Sequence, residues 1–164
     1  MNLETLNQLP QDQFLTAIGG PLEGETWLAA RVVEHRPFAT RDALIAAFER
    51  EIAACTPDEK VRLLESHPEL AAKVELSPMS VAEQAAAGLK QLSPEEYDEF
   101  MRQNRAYRER FGFGFVICAR ENTKHTILDA FRQRLTHTRD HEIALGVGEV
   151  FKILRLRLID LVHP

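Results

Sequence analysis

The sequence predicts an all-α fold: one domain over residues 1–164, built as a bundle of about seven or eight helices. Three observations carry this. Apolar residues recur at helical spacing through most of the chain. Helix-start signals are frequent; Thr56-Pro57-Asp58-Glu59 and Ser93-Pro94-Glu95-Glu96 each join a capping side chain, a proline at the first helical position and a glutamate three residues after the cap. β-prone, glycine-punctuated sequence is confined to Phe111–Ala119.

The elements follow in order. Leu3 to Ile18 carries helix-spaced apolar positions and stops at Gly19-Gly20. Glu25 to His35 reads as a second helix, halted before Pro37. Thr40 caps a third, with Leu44, Ala47, Phe48 and Ile52 on one side. The Thr56 signal opens a fourth, ending near Ser66. Ser80-Val81-Ala82-Glu83 fits a further capping box, which predicts a short helix ending at Gly88. The Ser93 signal starts a long helix toward Arg110. After the extended stretch, Asn122 or Thr123 restarts a helix through Leu135, and a last long helix runs from about Arg139 to Val162.

Composition narrows the function. The 164 residues are 45% hydrophobic and 27% charged, enough to bury a core and unlike a disordered chain. Twenty basic against 25 acidic residues give a net charge of −5, which offers no electrostatic footprint for nucleic acid or an anionic membrane surface. No apolar run reaches the ~20 residues of a membrane span. The start of the chain lacks a signal-peptide pattern and its end is not a peroxisomal address. Cys55 and Cys118 form no close-spaced motif and read as free thiols in a reducing cytosol, so the expected location is cytoplasmic. No phosphate loop, nucleotide fingerprint or serine-nucleophile elbow is present.

A few residues stand out chemically. Arg157 falls on the apolar stripe of the last helix, with Val147, Val150, Leu154, Leu158 and Leu161, whereas Arg155 points elsewhere. A guanidinium on a core-facing stripe is costly unless paired. It is an anion-binding fork reaching a pocket, half of a structural ion pair, or an arginine snorkelling from the helix edge. His67 sits at a bend fixed by Pro68, placed to move protons or only to favour a helix C-terminus. Ser80 and Glu83 serve as a cap or, with Gln84, as polar groups for a hydrogen-bond-rich heterocycle. His137 and His141, beside Glu142, are spaced for a metal on a helix, but Thr138-Arg139 looks like the helix start and leaves His137 outside it.

Taken together, these segments resemble the family of 2-oxo-4-hydroxy-4-carboxy-5-ureidoimidazoline (OHCU) decarboxylases. The resemblance spans nearly the whole chain: Phe14-Leu15, Gly19-Gly20, Trp27-Leu28-Ala29, Arg36-Pro37-Phe38, His67-Pro68-Glu69-Leu70-Ala71, Ser80 to Gln84, Ala87-Gly88-Leu89, Asn104-Arg105-Ala106-Tyr107, Phe111-Gly112-Phe113 and Glu149 to Leu158. It implies an all-helical homodimer without metal or organic cofactor, acting on a small ureidoimidazoline. It further implies that His67 and Glu83 are catalytic and that Pro68, Ser80, Gln84, Phe115, Ile117 and Arg157 bind substrate. The family commonly has proline where this chain has Gly114, which makes the connector around Phe115 to Ile117 more flexible. Competing readings are a helical binding module that keeps only the fold, or a lyase or hydrolase for another ureido compound.

Overall fold

Local capping chemistry sets most helix boundaries in the computed structural model, which describes Met1–Pro164. There are nine α-helices and no strands: α1 Leu3–Gln8, α2 Gln11–Gly19, α3 Thr26–Val32, α4 Arg41–Ala53, α5 Pro57–Glu65, α6 Pro78–Ala86, α7 Pro94–Phe111, α8 Lys124–Arg134 and α9 Arg139–Leu161. The all-α class holds. The count is nine because the segment read as one helix from Leu3 to Ile18 breaks at Leu9-Pro10. Pro10 has no N–H for an intrahelical bond and stands in extended geometry before α2. α3 continues as a 3-10 turn, Val33–His35, covering the rest of the second expected helix.

Contacts divide the chain into two compact units, Met1–Lys60 with Phe151–Pro164, and Val61–Val150. In the first, Phe14, Ile18, Leu28, Leu44, Phe48, Leu154 and Leu158 are fully or almost fully buried. Thr40 Oγ1 accepts from Ala43 N at 3.0 Å, a cap of the kind worth about 1 kcal/mol. The break after α1 is clasped by Arg36, whose guanidinium donates to the carbonyls of Leu9 (2.6 Å) and Val33 (3.2 Å). Arg41 supplies Nη1 to the carbonyls of Ile159 and Val162 at the end of α9, which have no helical partner of their own.

In the second unit, α7 and α8 pack around an aromatic cluster. Tyr107 touches Phe111, Phe113 and Phe115, and Phe131 stacks on Phe115 with ring centres 3.8 Å apart. Ser93 and Glu96 form the expected capping box at α7, and Thr123 caps α8. α7 ends at Gly112, whose φ of +82° is the left-handed conformation that halts a helix there. The chain then runs through residues 114–118 without helix or turn, and its side chains are buried. This is the connector that the β-prone sequence predicted. No helix is long and apolar enough to cross a membrane.

Candidate active site

His67 lies two residues past α5, half-buried. Its Nδ1 is 3.1 Å from the Leu63 carbonyl, whereas Ser66 spends its hydroxyl proton on that same oxygen at 2.7 Å. A carbonyl only accepts, so Nδ1 donates to it and carries a ring proton. The helix end that offered a bland role for His67 is therefore also what orients its ring.

α6 presents Ser80, Glu83 and Gln84 on one face, three and four residues apart. Ser80 and Gln84 are buried and Glu83 half-buried. The capping box expected at Ser80 is not there. Ser77 is the cap, its Oγ accepting from Ser80 N at 3.2 Å, and Pro78 opens the helix. Ser80 is thus the third helical residue and Glu83 the sixth, too far in to reach the cap. The overlooked signal was Ser77-Pro78, the same pair that opens α7 as Ser93-Pro94. With the cap assigned to Ser77, Glu83 lies beyond the capping positions.

Gln84 joins α6 to the loop carrying His67 and Pro68. Its Oε1 accepts from Ala71 N at 3.1 Å, at a backbone position with φ of +59°. Asn104 of α7 holds the neighbouring carbonyl of Leu70 at 2.9 Å. The polar end of Gln84 that donates, Nε2, makes no hydrogen bond to protein. Asn104 was visible in the sequence only as part of a motif. The signal for it was a polar side chain at helical spacing between Phe100 and Tyr107.

Residues 114–118 complete this neighbourhood. Along an extended chain, the N–H and C=O of alternate residues face opposite edges. The even-numbered edge is taken by side chains: Gly114 N–H donates to Glu65 Oε1 at 2.9 Å, Val116 C=O accepts from Arg134 Nη1 at 2.7 Å, and Cys118 N–H reaches Glu149 Oε1 at 3.5 Å. On the odd-numbered edge, no protein group pairs with the N–H or C=O of Phe115 or Ile117. Buried backbone polar groups are nearly always paired, so this edge is chemically suited to a polar ligand. Gly114, expected to loosen the connector, is held by a bond that proline could not make. Burial pushes the Cys118 thiol above its ordinary range, so no thiolate stands at the end of this segment.

Arg157 belongs to the first unit. It is 4% exposed, as its place on the stripe predicted, and Arg155 is exposed. Its Nη1 donates to Glu23 Oε1 at 2.8 Å and to the Pro21 carbonyl at 3.3 Å. The ion pair that sequence reasoning held as one alternative is thus present. Glu23 was missed, because nothing in Pro21-Leu22-Glu23-Gly24 beyond turn composition ties its carboxylate to a helix 134 residues later. His137 stands before α9, whose first turn is capped by Thr138. Its Nδ1 lies 2.8 Å from Glu142 and its ring stacks on His141. No group of three or more His, Cys, Asp or Glu side chains is arranged to hold a metal.

Comparison with known proteins gives a consistent family signal. The profile described as OHCU decarboxylase matches residues 7–159. A 2-oxo-4-hydroxy-4-carboxy-5-ureidoimidazoline decarboxylase from Haloferax volcanii is 36% identical over 160 residues, covering 98% of this chain and 95% of that one. The enzyme of the same name from Xenopus laevis is 34% identical, covering 98% and 94%. A crystal structure of (S)-allantoin synthase matches with a TM-score of 0.80 at 27% identity, over 99% of this chain and 54% of that chain.

Proposed function

The chain belongs to the OHCU decarboxylase family, and from that premise we propose that it converts 2-oxo-4-hydroxy-4-carboxy-5-ureidoimidazoline to (S)-allantoin and carbon dioxide in urate degradation. The observation that carries the reading is the unpaired backbone edge at Phe115 and Ile117, on a segment tied through Glu65 to the helix end that orients His67. A ureidoimidazoline is rich in N–H and C=O groups and can pair with such an edge. Gln84 Nε2 and the Ser80 hydroxyl add polar contacts, and Pro68 shapes the bend beside His67. Arg157, oriented by Glu23, binds the anionic substrate through its planar fork.

The substrate carries its carboxylate on a carbon that also bears a hydroxyl, next to a ring imine. When the bond to the carboxylate breaks, carbon dioxide leaves and the electron pair passes into the imine. With a proton taken up at the imine nitrogen, that leaves an enol. The hydroxyl then gives up its proton, and the neighbouring carbon gains one to become the allantoin stereocentre. Overall, one proton replaces carbon dioxide, with no external electron sink. His67 Nε2 takes the hydroxyl proton. Glu83, on the same helix face as Gln84, holds the histidine or lies near the departing carboxylate. The whole chain, 1–164, works as one decarboxylase domain, as a homodimer in the cytoplasm and without metal or organic cofactor.

The test is to generate the substrate from 5-hydroxyisourate with its hydrolase, add this protein after dialysis against a chelator, and follow optically active allantoin by circular dichroism. Acceleration over the spontaneous reaction is expected. No acceleration overturns the reading. Activity lost on chelation and restored by zinc or manganese overturns the cofactor-free step.

A further inference from the structure

The polar network behind residues 114–118 has no role in the chemistry just described, yet it is costly. Glu142 is fully buried, with Oε1 accepting from the Tyr107 hydroxyl (2.6 Å) and from Arg134 Nε (2.7 Å), and Oε2 within 2.8 Å of His137 Nδ1. Arg134 is 4% exposed. Replacing a buried ion pair with apolar residues is often neutral or stabilising, so such a pair is weak evidence of a stability role. Arg134 Nη2 is buried with no protein hydrogen-bond partner.

What the guanidinium touches suggests another purpose. Its Nη1 holds the Val116 carbonyl at 2.7 Å, and its centre lies 4.2 Å from the Phe115 ring, which itself stacks on Phe131. One planar group therefore fixes the backbone of Val116 and the side chain of Phe115, while Glu142 fixes the guanidinium. With Val116 C=O turned toward Arg134, the groups of Phe115 and Ile117 must face the other edge. We propose that Arg134, locked by Glu142, is a positioning residue that presents the backbone edge of Phe115 and Ile117 to the substrate. It touches no substrate itself. The inference rests on the reading of that edge as a substrate contact.

Lysine cannot reproduce the geometry, because a single ammonium cannot serve Glu142 and Val116 from the two ends of a rigid fork. Tyr107→Phe is the matched control. It also removes one buried bond to Glu142 but leaves both bonds of Arg134 and keeps the ring. Steady-state kinetics and titration with (S)-allantoin are measured on both variants beside melting curves. Arg134→Lys is expected to raise KM and the Kd of (S)-allantoin together by tenfold or more, with Tyr107→Phe close to wild type in both. Equal values for the two folded variants overturn the proposal.

Where Arg134→Lys does not fold, the combined Tyr107→Phe, Arg134→Met, Glu142→Leu protein takes its place. It exchanges the Tyr107, Arg134 and Glu142 polar groups for apolar ones, which sets the removal of a buried ion pair against the Val116 carbonyl and His137 left without those partners, and its folding is read from the same melting curves. It is expected to show the same rise in KM and Kd, and normal values overturn the proposal. An inactive wild-type protein would refute the decarboxylase reading alone. The clamp is then read from amide hydrogen exchange: faster exchange at Phe115 and Ile117 in Arg134→Lys than in Tyr107→Phe supports it, and equal exchange overturns it.

Discussion

At the scale of single residues, His67→Asn separates the imidazole's chemistry from its place in the loop. The asparagine amide can still donate to the Leu63 carbonyl that now holds Nδ1, so the bend should persist and melting should stay unchanged. It cannot exchange a proton near neutral pH, so turnover should fall by ~10²-fold or more. A folded variant with near-normal turnover would return His67 to the role of a helix-end charge. Glu83→Gln has a sharper expectation now that Ser77 is the cap of α6: Ser77→Ala should cost ~1 kcal/mol of stability, and Glu83→Gln should cost activity with little loss of stability. Reversal of that pattern, read from urea melts and kinetics, removes Glu83 from the chemistry. Arg157 was legible because a 3.6-residue period places a charge on an apolar face, and Glu23 was not, because turns carry no such period. Arg157→Lys keeps a charge for Glu23 but loses the fork. It should weaken (S)-allantoin binding, while exposed Arg155→Lys should be silent. A destabilised Arg157→Lys protein whose folded fraction binds normally would make the Glu23 pair purely structural.

At the scale of elements, the connector at 114–118 shows what local sequence reveals and what it does not. Glycines and β-prone residues announced an extended stretch. The groups that hold it, Glu65, Arg134 and Glu149, come from α5, α8 and α9, and no short-range pattern links them to it. Capping signals are local in the same way. They placed α4, α5, α7 and α8 within a residue or two, and failed at α6 only where two serines competed for the cap. The Glu65–Gly114 bond allows a direct test. Gly114→Pro removes the N–H that Glu65 accepts, so Glu65→Ala should cost stability in wild type and be nearly silent in the Gly114→Pro background. The coupling should be about 1–2 kcal/mol, the scale of a hydrogen bond to a charged group. Glu65 also pairs with Arg108, whose guanidinium a Cβ at 114 would crowd, so the cycle is run in an Arg108→Ala background to keep that exposed contact out of it. Strict additivity in a urea-denaturation cycle would show that the Glu65 contact does not hold the connector.

For the molecule as a whole, acid tolerance should draw on the carboxylates held below their ordinary range, among them Glu59 in one unit and Glu142, with Glu96 and Glu99, in the other. Glu59 in the first is held down to about 2, chiefly by the bidentate hydrogen bond from Arg31. Glu142 in the second is a contest. Burial pushes it up, while hydrogen bonds from Tyr107 and His137 and the charge of Arg134 pull it down, and the balance lies below its ordinary 4.5. Tyr107 stays protonated throughout, since burial raises its phenol far above neutral. Both shifts are depressions, so the sign is fixed: each contributes stability that is fully present above the unfolded value near 4.5 and is lost as pH falls through the folded value. Melting temperature should be flat from pH 7 to about 5 and fall below that. Salt should distinguish the two groups. Arg31 is 40% exposed, so screening weakens its pair with Glu59, whereas Glu142 is fully enclosed and Arg134 nearly so. Glu59→Gln should therefore flatten the acid slope measurably at low ionic strength and hardly at all in 0.5 M salt (about a 4 Å screening length). Glu142→Gln should flatten it equally in both, while lowering stability at pH 7 because Arg134 loses its countercharge in the interior. If the acid slope of wild type vanishes in salt, the buried network contributes nothing to acid stability. A slope untouched by Glu59→Gln at low salt would instead show that the pair with Arg31 is only a surface contact.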